Sequence, residues 1–140
     1  MNSNARYVFD TNVLVSALIF EHSKPGQAFR NALQNGQVLL SLSALEEIAA
    51  VMSREKFRRY VTEEDRDEFL QALVGRARFI EPGAQIRICR DPKDDKFLEL
   101  AVSGSADHII SGDADLLALS PFRGIEILPP DDFLKRLEDS

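Results

Sequence analysis

The chain has 140 residues, 44% apolar and 29% charged, which is the balance of one folded domain rather than a disordered or fibrous chain. At this length one core is expected, burying ~68–70% of the unfolded surface, with no room for a second full domain. Lys and Arg number 17 against 23 Asp and Glu, and the resulting −6 argues, taken alone, against a polyanionic partner.

Taken in chain order, Arg6–Phe9 is a short β-favouring run that stops at Asp10 and predicts a buried strand. Val13–Phe20 reads as a helix. It is the longest apolar stretch, yet far short of the ~20 residues that span a bilayer, so no membrane association is expected. No basic, apolar, small-residue series opens the chain, so no secretory signal is expected either. Gly26–Asn35 is a second helix, with Pro25 suited to its start and Asn35-Gly36 to its stop. Val38–Leu40 is a second strand. Ser43 with Glu46 three residues on predicts a capping box opening the next helix, whose apolar stripe is Leu45, Ile48, Ala49 and Met52. Thr62 caps a long helix with an acidic first turn, Glu63 to Asp65, as the helix dipole favours. Phe79-Ile80 is a minimal strand.

The single cysteine, Cys89, cannot close an internal disulfide, which suits a reducing cytosol and a cytoplasmic location. No nearby base activates it, and a packed thiol is expected. Asp91 and Pro92 supply the N-cap and first position of a helix reaching about Val102. Strand Asp107–Ile110, helix Asp113–Leu119, strand Ile125–Ile127 and a terminal helix capped by Asp131 complete the series. Short apolar strands alternating with helices predict an α/β fold, a three-layer α/β/α domain around a parallel sheet of about five strands. In such sheets chemistry sits outside the carboxyl ends of the strands.

Asp10 ends the first strand, and Ser111-Gly112-Asp113 ends the strand before it in the same way, so two strand ends deliver a carboxylate to one edge. Each also reads as a helix cap. Asp94 is a third candidate, or else a first-turn acid serving the helix dipole. A fourth lies at Glu46 or Glu47, which helical angle cannot separate, since both lie far from the apolar stripe. Carboxylates converging in one cleft raise one another's pKa unless a cation neutralises them. No Lys or Arg lies within two residues of Asp10 or Asp113, so a local salt bridge is not offered. All-oxygen ligation suits Mg²⁺ or Mn²⁺, and if the carboxylates converge a metal-dependent phosphodiesterase is the expectation from the residues alone.

Four segments in order carry a family resemblance: Val8–Leu14, Leu45–Met52, Arg90–Leu98 and Ala106–Leu117. With them the chain resembles the PIN-domain ribonucleases, and within these the toxins of bacterial and archaeal toxin–antitoxin pairs, over nearly its whole length. The resemblance implies a catalytic quartet of Asp10, Glu47, Asp94 and Asp113, in which Glu47 fits the family spacing better than Glu46, and Asp94 better than Asp95. Asp10, Asp94 and Asp113 are then the expected ligands of Mg²⁺ or Mn²⁺, with Asp115 as an auxiliary ligand and Glu47 completing the shell or orienting the nucleophile. Thr11, Asn12 and Ser111 match positions that orient acids or water, Ser111 standing where threonine is commoner. The implied activity is endonucleolytic cleavage of single-stranded RNA by in-line attack of metal-activated water, leaving a 5′-phosphate and a 3′-hydroxyl. A cognate antitoxin protein and a homodimer are the implied partners.

The segment Arg54-Glu55-Lys56-Phe57-Arg58-Arg59-Tyr60 follows the glutamate helix. Its Arg54, Lys56, Arg58 and Arg59 fit either a solvated helix end or an RNA-contacting surface with base stacking on Phe57 or Tyr60. His22 and His108 have no spacing partner for a metal or triad, and the Asp91–Asp95 run lacks the third-position acid and sixth-position glycine of a calcium loop. A PIN-like binding or assembly module with little activity is the alternative, and four intact acids favour the enzyme. A haloacid-dehalogenase-like phosphatase needs an Asp two residues after the first, where this chain has Asn12. The acidity is also local. The first 90 residues hold 12 Lys and Arg against 11 Asp and Glu, net +1, and the last 50 hold 5 against 12, net −7. Charge concentrated near an acidic metal site does not exclude RNA.

Overall fold

Five parallel strands in the order β3-β2-β1-β4-β5 form the centre of the computed structural model, which describes residues 4–139. They are β1 (Arg6–Phe9), β2 (Gln37–Leu40), β3 (Arg78–Phe79), β4 (His108–Ile110) and β5 (Glu126–Leu128). The pairings Tyr7–Val38, Phe9–Ile110 and Ile110–Leu128 set the strand ends side by side. Val8, Ile109 and Ile110 are fully buried, because helices cover both faces and leave no solvent side for polar residues to alternate onto.

The crossovers β1→β2 and β2→β3 run one way along the sheet, and β3→β4 runs back past both. Right-handed connection therefore places α1 (Thr11–Ile19), α2 (Lys24–Asn35), α3 (Leu42–Met52) and α4 (Glu63–Arg76) on one face. It places α5 (Asp95–Ser103) on the other, where it packs on β1, β2 and β4. The remaining helices are α6 (Ala114–Leu117) and α7 (Pro130–Glu138), the latter lying against α2. The strand order reverses at β1 and β4, and the crevice outside their carboxyl ends is where a doubly wound sheet binds ligands.

Each predicted strand and helix is present, with strand ends moved by a residue, and the α/β fold is as expected. The differences lie at the helix caps. The predicted Ser43–Glu46 capping box does not form: the residue at the end of β2, Ser41, caps α3 instead, accepting from the Ala44 amide at 3.2 Å. Nor does Asp131 cap α7. Pro129 holds that position and Asp131 falls in the first turn. Ser23 caps α2 one residue before Lys24, with Pro25 in its first turn. The Asp91 cap is as expected, but it opens a 3-10 turn, Pro92–Asp94, that leads into α5. Thr62 and Asp65 form a full capping box at α4.

After β3 the Ile80 amide still donates to the Leu40 carbonyl of β2, and beyond it five amides on the way to that 3-10 turn are satisfied by one face of α5. Ser103 Oγ accepts from Gly83 and Ala84, Glu99 Oε2 from Ile86, and Asp95 Oδ1 from Ile88 and Cys89. These acceptors sit four residues apart, one helical turn each. The strap ends at Asp91, beside the crevice.

Candidate active site

A cleft of about 550 Å³ opens at the carboxyl edge of the sheet, lined by Asp10, Glu46, Glu47, Asp91, Asp94 and Asp113 and by the cations Arg54, Lys93 and Lys96. The quartet comes from four separate elements. Asp10 follows β1, Glu47 sits midway along α3, Asp94 ends the 3-10 turn before α5, and Asp113 follows β4.

Asp10 and Asp113 cap helices as well as facing the cleft. Asp10 Oδ1 accepts from the Val13 amide at 2.9 Å, and Asp113 Oδ1 from the Asp115 amide at 2.9 Å. A helix-capping role and a place in the cleft therefore coexist at both positions. Ser111, fully buried, links them: its hydroxyl donates to Asp10 Oδ2, and its oxygen accepts from the Asp113 amide at 3.0 Å. Thr11 donates its hydroxyl to Glu47 Oε2 at 2.5 Å. Asn12 is exposed at the cleft wall.

Asp10 is buried, and burial pushes its carboxyl up to about 6 despite the Ser111 and Val13 hydrogen bonds; the charges of Asp113 and Glu47 push the same way. Asp94 is likewise raised to about 6, by burial, by the charge of Asp113 and by that of Asp91. The two aspartates therefore feel the rest of the quartet through space. Among the described residues, no group of three or more Asp, Glu, His or Cys side chains is placed to hold a metal ion.

The open choices take different positions here. Glu47 is half-buried and bonded to both Thr11 and Lys96, whereas Glu46 is exposed. Asp95, the first residue of α5, is buried against the strap and does not line the cleft. Burial raises its carboxyl, but the Cys89 and Ile88 amides and the Arg87 charge outweigh that and hold it below its ordinary value. Cys89, half-buried, is pushed up to about 12 by burial and by Asp95, so its thiol stays protonated. Asp115 is exposed and does not line the cleft.

Of the basic segment, Arg54 alone lines the cleft. Lys56 places its ammonium over the Phe57 ring at 5.1 Å, Arg58 borders a separate hollow with Val61 and Arg66, and Arg59 is exposed. Sequence reasoning missed Lys93 and Lys96. Lys96 carried a signal, because a cation in the first turn of a helix opposes the dipole. Its ammonium reaches Glu47 Oε1 at 2.8 Å, supplying the charge partner that near neighbours in sequence do not.

The fold and the cleft together define a doubly wound α/β domain with a carboxylate-lined crevice at its switch point. The PIN-domain family model matches residues 6–115, and the chain belongs to this family of nucleases. All four acids fall inside the match. An uncharacterized protein of Methanocaldococcus jannaschii is 35% identical over 116 residues, which cover 81% of this chain and 74% of that one. Among solved structures, PAE2754 from Pyrobaculum aerophilum aligns with a TM-score of 0.65 at 15% identity, covering 97% of this chain and 91% of that one. VapBC2 from Rickettsia felis, bound to a DNA fragment from its promoter, aligns at 0.60 and 14%, covering 87% and 96%. FitAcB from Neisseria gonorrhoeae aligns at 0.54 and 16%, covering 89% and 97%. At these identities the structural likeness establishes the fold.

Proposed function

We propose that this chain is one PIN-like domain acting as a divalent-metal-dependent endoribonuclease on single-stranded RNA, and that it is the toxin of a toxin–antitoxin pair in the cytoplasm. The observation that carries this reading is the convergence of Asp10, Glu47, Asp94 and Asp113 in one crevice, with Asp10 and Asp94 raised to about 6 by burial and mutual charge. Asp10 and Asp94 held this way are short of positive charge, and every oxygen the four acids offer is a hard donor.

The residues fit Mg²⁺ or Mn²⁺. Mg²⁺ is held through one or two carboxylates while keeping several waters, so acids spaced round a wet cleft suit it without a closed cage. Asp10, Asp94 and Asp113 would hold the ion, with Asp115 the more remote candidate. When bound, it supplies activation of water and neutralisation of charge developing on a phosphoryl oxygen. The chain does the positioning. Ser111 fixes Asp10 Oδ2 and the Asp113 backbone, and Thr11 fixes Glu47. Arg54 and Lys93, on the cleft wall, meet backbone phosphates.

The antitoxin and homodimer parts of the reading draw on the family resemblance and on the VapBC2 and FitAcB likenesses. The test is cleavage of a 5′-labelled single-stranded RNA by the purified chain with Mn²⁺, beside Asp10→Asn. Cleavage leaving a 3′-hydroxyl, lost in Asp10→Asn and in EDTA, is the expected result. Equal activity in both chains removes the site. RNA left intact by a wild-type chain that still binds its antitoxin favours the binding-module alternative.

A further inference from the structure

Lys96 is the second residue of α5, where a positive charge faces the positive end of the helix dipole. Its partner makes the placement stable: Nζ lies 2.8 Å from Glu47 Oε1, with the two side chains only 21% and 18% exposed. The Thr11 hydroxyl occupies the other oxygen, Oε2. Asp10 too has a donor on each carboxylate oxygen, from Val13 and Ser111, but both are neutral; among the described residues Glu47 is the one member of the quartet with a full charge beside it. Among the described residues, Asp10, Asp94 and Asp113 have no Lys, Arg or His within ion-pair distance.

We propose that Lys96 is a built-in cation of this site, which takes Glu47 out of the ligand set and leaves the cleft to a single divalent ion held directly or through water by Asp10, Asp94 and Asp113. The inference rests on the metal-dependent reading above. Binding an ion at Glu47 would release a half-buried ammonium at a helix N-terminus with no counter-charge, and breaking such a pair from one side is costly. A second divalent ion near Glu47 would also stand beside that ammonium, with the repulsion little screened inside the cleft. Lys96 lines the cleft and has two further N–H donors, so the fixed charge stays available to a phosphate. Glu47 is therefore a positioning residue that aims Lys96.

The experiment counts bound Mn²⁺ on the purified full-length chain by calorimetry and by the electron-spin signal of free Mn²⁺. One ion per wild-type chain is expected, two in Lys96→Met, and one in both Lys96→Arg and the double variant Lys96→Met with Glu47→Gln. A pair that merely staples α3 to α5 predicts a lower melting temperature in Lys96→Met with the count unchanged at one. Two ions in the wild type, or one in folded Lys96→Met, overturns the proposal. If Lys96→Met does not fold, Glu47→Gln decides. Mn²⁺ affinity within about threefold of wild type supports the proposal, and a loss of about tenfold or more, the scale expected of a residue in a metal site and of Asp94→Asn, overturns it. A wild-type chain that binds no Mn²⁺ overturns the metal reading itself, and this inference with it.

Discussion

The fold holds the Asp10 carboxyl above its ordinary value, and the consequence for stability has a definite sign. Its carboxyl moves from an ordinary 3.8 to about 6, so between those values the folded chain holds a proton that the unfolded chain has lost. Stability from this group is fully present below pH 4 and is lost as pH rises through 6, on the order of 3 kcal/mol. Denaturation in EDTA should therefore show a less stable chain at pH 7.5 than at pH 5. Asp10→Asn, which still caps α1, should remove Asp10's share of that slope and be the more stable chain at pH 7.5 while losing cleavage. An Asp10→Asn chain with the wild-type slope would show that the strain lies elsewhere. Asp94 and Asp95, adjacent in sequence, should separate as sharply. Asp94→Asn should lose activity and keep its fold. Asp95→Ala strands the Ile88 and Cys89 amides and should cost about 2–3 kcal/mol in chemical denaturation.

At the scale of elements, the order of strands and helices was legible because apolar runs of three or four residues separated by amphipathic helices leave few alternatives to a parallel sheet. The caps were less so. Ser41 and Ser43 are both good N-cap residues, and what selects Ser41 is where β2 stops, a fact of strand register with Phe79 and Arg78. The site was half legible. Asp10 and Asp113 stand at strand ends that the pattern locates, but the choice of Glu47 and Asp94 came from family resemblance, and Lys96 from neither. The partner of Lys96 is 49 residues away, beyond any local rule. One close approach gives a further test. A Cβ on Gly26 would lie 2.3 Å from the Glu21 carbonyl oxygen, which is backbone and cannot swing aside. Gly26→Ala should destabilise by about 1–3 kcal/mol through the α1–α2 junction, measured as a shift in the denaturation midpoint. A midpoint unchanged from wild type would mean the junction yields freely.

Across the whole molecule, charge is arranged rather than averaged. Six acids and three cations line the cleft, and Arg54 is the member of the basic segment that reaches it. On an Asp10→Asn background, which prevents cleavage, Arg54→Glu should weaken binding of a single-stranded RNA. It should also lower the slope of log affinity against log salt by about one. Arg59→Glu, farther from the cleft, should change both less. Equal effects would move the RNA path onto the basic segment as a whole.

The positions of the four acids, at residues 10, 47, 94 and 113, also set when the site can exist. Asp113 is placed only when β4 lies beside β1, a pairing of residues about a hundred apart, such as Phe9 with Ile110. A chain emerging from the ribosome N-terminus first has Asp10 and Glu47 folded or foldable long before it has an Asp113 to complete them. On the ribonuclease reading proposed above, an unfinished chain, still attached to an RNA-rich ribosome, therefore lacks a complete set of four acids until β4 docks beside β1.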